Sequence, residues 1–253
     1  MKIYKYRDFS NPTEKDFRRL EDLVHRHLVW CARPDALNDP QEFVWECDYA
    51  PTAATVDFLT DLLVKARGRT RAEAHARAEE VIQNGRLESV ARPVFVGMIE
   101  QCRSEIGLSC FGTAPDNEVL WAGYAARGAG VCVEFEVPDD LLGTQLHLVQ
   151  YLDDKRLHVD QVLQAFVDRR HVPTVYNRVL LSKSSAWAEE KEIRFVSQQH
   201  SIQVALDRAQ VPCLILGNEL RAEVRARIER LAAATPIAHH PPFIHPKPDS
   251  SGV

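Results

Sequence analysis

Two glutamates and an arginine alternate within the stretch SSAWAEEKEIRFVSQ, residues 184–198. In a β-strand, residues two apart share a face and lie about 7 Å apart. The spacing therefore predicts that Glu190, Glu192 and Arg194 point to one side, while Ile193 and Phe195 point into a core. If the polar face lines a cleft, its carboxylates could take part in chemistry. The alternative is a solvated sheet face with an internal Glu–Arg pair.

An aromatic and a basic side chain lie just before the acidic pair. Trp187 and Lys183 are four residues apart and precede Glu190. Their clustering with the carboxylates favours the rim of a structured pocket over an open surface.

A second candidate site lies in the segment DNEVLWAGYAARGAGVCVEF, residues 116–135. Trp121 and Tyr124 are three residues apart, so in a helix they share a face. The segment predicts either an aromatic core anchor followed by a turn, or a pocket wall on which Tyr124 stacks against a ligand. Its glycines do not have the G-x-G-x-x-G spacing of a dinucleotide-binding loop, and the segment does not begin after a strand.

Two shorter motifs carry further polar candidates. In ALNDPQEF, Asn38 and Asp39 precede a proline, which is typical of an Asx turn, and Glu42 follows in the next turn. In the opening YKYR, Arg7 is the residue type best suited to hold a phosphate or carboxylate with two hydrogen bonds. A surface salt bridge is the alternative for Arg7.

Composition limits the class of protein. The 253 residues carry a net charge of −5, so the chain is not built around a basic nucleic-acid surface. The sequence has no P-loop, no H-E-x-x-H, no G-x-S-x-G and no EF-hand. Its His pairs, His25-x-His27 and His239–His240, belong to no such motif, so no metal is expected. Six unpatterned cysteines and the absence of a long apolar run predict a cytoplasmic protein that does not associate with membranes.

The order of predicted elements indicates an α+β fold. Strand patterns open the chain and return after residue 106, whereas residues 51–106 have helical periodicity. We therefore predict a single α+β domain, residues 1–238, around a mixed or antiparallel sheet, with a helical insertion at residues 51–106. The Pro- and His-rich tail, residues 239–253, is expected to be disordered.

Four separated motifs occur in an order that resembles one bacterial family. YKYR, ALNDPQEF, SCFGTAPDNEVLWAGYAARGAGVCVEF and KSSAWAEEKEIRF together resemble the family called domain of unknown function 2971 (DUF2971), over almost the whole chain. The chain departs from the family pattern at Gly112, where Ser is frequent, and at Glu189 and Ile193, where aromatic residues usually flank the E-x-E. The family name supplies no activity. The positions that match its motifs are Tyr6, Arg7, Asn38, Asp39, Glu42, Trp121, Tyr124, Gly130, Lys183, Trp187, Glu190, Glu192 and Arg194.

A looser resemblance is to the ADP-ribosyltransferase fold, in which an Arg on a first strand, a Ser before a middle strand and a late E-x-E follow in this order. The matching residues are Arg7, Ser109 and Glu190-x-Glu192. The resemblance implies an NAD-using transferase or glycohydrolase, acting as a toxin or defence effector, with NAD as substrate and no metal. An acceptor protein or nucleic acid is the implied partner.

This resemblance also implies a role for each candidate. Glu192 would be the catalytic carboxylate, with Glu190 assisting. The residues implied to bind NAD are Arg7, Tyr6, Tyr124, Trp121, Ser109, Arg194 and Lys183. From the DUF2971 motifs, the residues predicted to bind substrate are Asn38, Asp39, Glu42 and Trp187.

Two other hypotheses remain open at the level of sequence. Asp39, Glu42, Glu190 and Glu192 could hold Mg²⁺ in a nuclease or nucleotide hydrolase. Alternatively, the chain could be a non-catalytic module that binds a nucleotide or a protein. The three hypotheses differ in whether Glu192 shares a pocket with Arg7 and Tyr124, shares a metal with Asp39 and Glu42, or faces solvent.

Overall fold

The computed structural model describes residues 1–39 and 41–239. Of the predicted tail, residues 240–253 lie outside the described residues. The elements run in chain order as follows: β1 (Lys2–Asp8), α1 (Glu14–Arg26), β2 (Leu28–Cys31), β3 (Glu46–Asp48), α2 (Thr55–Arg67), α3 (Arg71–Gln83), α4 (Leu87–Glu105), β4 (Gly107–Gly112), α5 (Glu118–Tyr124), β5 (Gly130–Glu136), β6 (Leu146–Leu148), β7 (Gln150–Leu152), β8 (Arg156–His158), α6 (Val159–Val167), α7 (Val172–Leu180), β9 (Ser182–Ser184), β10 (Glu192–Ser197), β11 (Ile202–Ala205), β12 (Gln210–Leu216), α8 (Ala222–Leu231) and β13 (Ile237–His239).

A seven-stranded sheet organises the molecule, in the order β13-β12-β5-β1-β4-β10-β6. Its neighbouring strands are antiparallel except for β12 and β13, which are parallel. Three two-stranded sheets pair β11 with β2, β3 with β8 and β7 with β9. The predicted α+β class with a mixed sheet is confirmed.

One face of the sheet packs against helices α1 and α8. Along β1 and β10, Ile3, Ile193 and Phe195 point to this face and are buried. Helix α1 begins after Thr13, whose side chain and that of Asp16 form a capping box. The apolar residues of α1 recur at helical spacing, so one stripe of the helix meets the sheet; they are Phe17, Leu20, Leu23 and Val24.

The sheet splits between β1 and β4. These two strands pair at one position, Tyr4 opposite Gly112, although β1 continues to Asp8. Over the same residues β1 stays fully paired with β5 on its other side. Strands β1 and β4 therefore diverge after Tyr4 and leave a wedge between them. Trp30 of β2 and Ala32 just after it line the wedge, and Ala32 forms an antiparallel bridge with Leu108 of β4.

The divergence of β1 and β4 allows side chains from both faces of the sheet to reach the same wedge. Gly112 is in register with both Tyr4 and Glu192, so Glu192 shares the face of Tyr4. Because side chains alternate along a strand, Lys5 and Arg7 leave β1 on the opposite face. Without the wedge, these two cations and Glu192 would be separated by the backbone of the sheet.

Residues 51–106, predicted as a helical insertion, form the three helices α2, α3 and α4. Thr70 opens α3 with a capping box that includes Glu73. Helix α4 continues through Pro93, which lacks the N–H that would complete one turn of hydrogen bonds. The block shares a core with α6 rather than standing apart from the sheet domain. The buried members of that core are Leu59, Leu62, Ala78, Val81, Leu87, Ala91, Val159 and Leu163.

The predicted strand over Glu190–Arg194 is wrong at its start. Glu190 ends a 3-10 helix, Ser185–Glu190, and Lys191 has a left-handed backbone with φ 48°. The side chain of Asn117 donates to the carbonyl oxygens of Glu189 and Glu190 at 2.7 and 3.3 Å, which holds this turn. Strand β10 begins only at Glu192, so the two glutamates approach each other across a turn rather than along one strand.

Two further features of the described residues concern the helices and the cysteines. None of the helices within the described residues is long and apolar enough to cross a membrane. All six cysteines are free thiols, and Cys31, Cys102 and Cys132 are buried.

Candidate functional site

A cavity of about 280 Å³ occupies the wedge between β1 and β4. Strand β1, the segment from β2 to residue 42, β4, α5, β9 and the start of β10 all contribute to its wall. Arg7, Tyr124 and Glu192 line this one cavity, although they lie far apart in the sequence. It therefore collects residues from all four of the sequence motifs.

A chain of hydrogen bonds joins the carboxylates beneath the cavity. The Tyr124 hydroxyl donates to Glu190 Oε1 at 3.0 Å. The Lys183 ammonium donates to Glu190 Oε2 at 2.5 Å and to Glu192 Oε2 at 3.4 Å. Because Lys183 is 1% exposed, its charge is neutralised by these carboxylates rather than by water. Lys183 thus holds both glutamates at the cavity wall.

Arg194 holds Glu192 by hydrogen bonds from outside the cavity lining. Its Nε donates to Glu192 Oε1 at 2.8 Å, its Nη2 bonds Glu42 Oε1, and its Nη1 bonds the Leu180 carbonyl. Arg194 is fully buried and is not among the residues that line the cavity. Its position beneath the site indicates that it orients Glu192 and Glu42 and does not contact a ligand.

Burial changes the protonation of the groups in this network. It raises the pKa of Glu192, and the nearby Lys183 ammonium acts against that rise. Burial also raises the pKa of Tyr124, with the Glu190 carboxylate adding to the effect. The Tyr124 phenol therefore stays protonated and remains a hydrogen-bond donor near neutral pH.

Two cations face the cavity from the other side of the wedge. The Lys5 ammonium donates to Ser109 Oγ at 3.0 Å and to the Cys110 carbonyl at 2.7 Å, so it bridges the diverging strands. Arg7 Nε is buried and has no hydrogen-bond partner among the described residues. Burial lowers the pKa of Lys5 to about 8 and that of Arg7 to about 10.

The remaining aromatic candidates divide between wall and core. Tyr6 lines the cavity and donates its hydroxyl to the Ala114 carbonyl at 2.6 Å. Trp121 is fully buried, packs edge-to-face against Tyr6 at 5.5 Å and donates its indole N–H to the Pro115 carbonyl. It lies behind the wall, which matches the core-anchor alternative. Trp187 is half-buried, with its ring 4.7 Å from the Lys183 ammonium, and lies outside the lining.

Only some of the candidate residues in the ALNDPQEF segment line the cavity. Asn38 and Glu42 line the cavity, whereas Asp39 does not. Asp39 Oδ1 instead accepts a hydrogen bond from the backbone N–H of Gln41 at 2.9 Å, as expected for an Asx turn. Ser109 is buried and acts as acceptor for Lys5.

The carboxylates proposed for a metal are neutralised by side-chain cations. Glu42 pairs with Arg194, Glu192 with Arg194 and Lys183, and Glu190 with Lys183. Within the described residues, no group of three or more His, Cys, Asp or Glu side chains is placed to hold a metal ion.

Lys5 is a charged residue of the cavity wall that sequence analysis missed. Its one sequence signal is its position two residues before Arg7 in YKYR, which places both side chains on one face of a strand. The pattern gives no sign that Lys5 is buried, because that depends on the divergence of β1 from β4.

The resemblances to the DUF2971 family and to the ADP-ribosyltransferase fold remain predictions that rest on the motifs themselves. No family model, curated protein or solved structure matches the chain.

Proposed function

We propose that the protein is an NAD-consuming enzyme of the ADP-ribosyltransferase or NAD glycohydrolase type. The observation that carries this proposal is that Arg7, Tyr124 and Glu192 line one cavity. A ligand in the wedge would meet cations from one side and carboxylates from the other. NAD offers matching chemistry, because it has an anionic diphosphate and a positively charged nicotinamide ring.

The proposed reaction breaks the bond between the ribose and nicotinamide. The bonding electron pair leaves with the ring, which becomes neutral nicotinamide, and the ribose develops oxocarbenium character. Glu192 would stabilise that positive charge, because Arg194 and Lys183 hold its carboxylate in place. Water or another acceptor then attacks the ribose and loses a proton. Tyr124 would pack against the nicotinamide ring.

The cavity volume suits part of NAD rather than the whole molecule. Pockets that enclose drug-sized ligands usually measure about 300–1,000 Å³, and this one measures about 280 Å³. We therefore place the nicotinamide and its ribose inside the wedge, with the adenosine end outside.

The test is nicotinamide release from NAD by the wild type and by Glu192→Gln. The substitution keeps the shape of the side chain and removes its negative charge, so we expect the rate to fall by about 10²-fold. Glu189→Gln is the matched control, because Glu189 is exposed and lies three residues before Glu192 in the sequence. An unchanged rate in folded Glu192→Gln would remove the assignment. Free ADP-ribose among the products indicates hydrolysis, and its absence indicates transfer.

The second candidate, the metal-dependent hydrolase, rests only on Glu42, Glu190 and Glu192 lining the same cavity, and it requires Mg²⁺ to displace the Lys183 and Arg194 cations that pair with them. A chelator separates the two. Nicotinamide release by the proposed chemistry continues in EDTA, whereas hydrolysis of a nucleic acid or nucleotide by a Mg²⁺ site stops. NAD binding without nicotinamide release would favour the non-catalytic module.

A further inference from the structure

The cations around the wedge are of two kinds. Lys183 and Arg194 each contact two carboxylates. Lys5 and Arg7 form no ion pair within the described part of the chain, although both line the cavity. The second pair therefore provides positive charge that no contacting carboxylate of the described residues neutralises.

Lys5 is held in place by neutral groups only. Its ammonium donates to Ser109 Oγ and the Cys110 carbonyl and lies 5.0 Å from the centre of the Phe111 ring. The residue is 9% exposed, so water compensates little of its charge. A buried cation without a counter-charge is costly, and an anion that enters the cavity removes that cost.

The position of Arg7 extends the same subsite. Arg7 and Lys5 are two residues apart on β1 and share one face. Their Cα atoms are therefore roughly 7 Å apart, which allows each side chain to approach a different phosphoryl group of one diphosphate. The guanidinium supplies a planar fork for phosphate oxygens and the ammonium supplies a compact charge.

We propose that Lys5 and Arg7 together form a diphosphate-binding subsite at the β1 side of the wedge, with Lys5 as a ligand-binding residue. The subsite deepens the proposed function and rests on it for the identity of the rest of the ligand. It selects ligands that carry two linked phosphates over nucleosides and over singly charged acids.

The experiment is calorimetric titration of the full chain with inorganic pyrophosphate at pH 7, without divalent cations and at constant ionic strength. We expect saturable binding by the wild type and at least tenfold weaker binding by Lys5→Gln and by Arg7→Gln. Lys15→Gln removes an exposed lysine of α1 and should stay within twofold of the wild type. Sulfate and acetate, titrated in the same way, should bind at least tenfold more weakly than pyrophosphate.

Two results would overturn the proposal. One is Lys5→Gln binding pyrophosphate as tightly as the wild type. The other is the wild type binding pyrophosphate no better than sulfate. If Lys5→Gln does not fold, amine modification of the wild type replaces it: pyrophosphate should protect Lys5 and leave Lys15 reactive, and equal labelling of Lys5 with and without pyrophosphate would overturn the proposal.

The subsite and the proposed function can fail separately. Pyrophosphate binding through Lys5 does not require Glu192, and Glu192→Gln removes a negative charge from the same cavity, so we expect this variant to bind pyrophosphate no more weakly than the wild type. A protein that binds pyrophosphate through Lys5 and leaves NAD intact supports the subsite and contradicts the proposed reaction.

Discussion

At the scale of single residues, the charge on each side of the wedge has a different consequence. Lys183 and Arg194 neutralise carboxylates that would otherwise be buried alone, so they serve structure and orientation. Lys5 and Arg7 have no such partners among the described residues, and their burial lowers both pKa values. The energetic cost of burying Lys5 and Arg7 without counter-charges indicates a ligand. The burial of Lys183 and Arg194 is accounted for by their own carboxylate partners.

The lowered pKa of Lys5 predicts a particular pH dependence of stability. Burial and the Arg7 charge lower this pKa to about 8, while Cys110, Cys31 and Glu192 act in the opposite direction. The unfolded chain has the ordinary lysine pKa of about 10.4. Between these values the unfolded state binds more protons than the folded state, so Lys5 makes the free energy of unfolding rise with pH, by about 3 kcal/mol in full.

The contribution of Lys5 to the free energy of unfolding can be measured by urea unfolding at pH 7 and at pH 9.5. The wild type and Lys5→Gln are compared. Other groups titrate in the same range, and they are common to both proteins. We therefore expect the stability of the wild type relative to Lys5→Gln to increase by more than 1 kcal/mol between the two pH values. Parallel pH profiles would contradict the buried, charged state of Lys5.

At the scale of elements, the close contact of β1 and β5 holds Arg7 at the cavity. A Cβ on Gly130 would lie 2.2 Å from the Arg7 carbonyl oxygen and 2.8 Å from Ala125 Cα, both of them backbone atoms. Gly130→Ala must push β5 away from β1 and from the turn after α5. We expect a loss of about 3 kcal/mol in the free energy of unfolding, together with weaker pyrophosphate binding.

Gly123→Ala is the matched control for this substitution. A Cβ there meets nothing within 4 Å, and the residue lies in α5. Alanine should leave stability unchanged or raise it by about 0.5–1 kcal/mol. Equal effects of the two substitutions, measured by denaturant unfolding, would show that the β1–β5 contact does not limit stability.

Local sequence signals account for the helices better than for the site. Thr13 and Thr70 could be identified as helix caps because capping depends on residues three positions apart. The strand predicted through Glu190 failed because a contact from Asn117, distant in sequence, holds the turn there. The burial of Lys5 was not predictable for the same reason, since it depends on two strands that diverge. The motifs of the site could be found, but their arrangement depends on long-range packing.

At the scale of the whole molecule, the helical insertion and the sheet depend on each other. Helices α2 and α4 pack against α6, which follows β8 in the chain, and α3 packs against α2 within the same core. Helix α6 also contributes Val162 and Ala165 to a second core that includes Leu108 of β4. Because β4 forms one side of the wedge, packing in the insertion is connected to the site through α6.

This connection predicts that a cavity made in the insertion destabilises the entire chain. Leu59 of α2 is fully buried, so Leu59→Ala should lower the free energy of unfolding by about 2–5 kcal/mol. Trp45 packs with Phe95 and Ile99 of α4, so it is replaced by Phe in every protein compared. The fluorescence of the other three tryptophans then reports on the chain outside residues 51–106, whereas circular dichroism reports mainly on helices. In one cooperative unit, both signals shift to lower urea concentration by the same amount.

The control is Val96→Ala, at a side chain of α4 that is 47% exposed, which should shift neither signal. A shift of the dichroism alone would show that the insertion unfolds as a separate unit, which would break the link between its packing and the wedge.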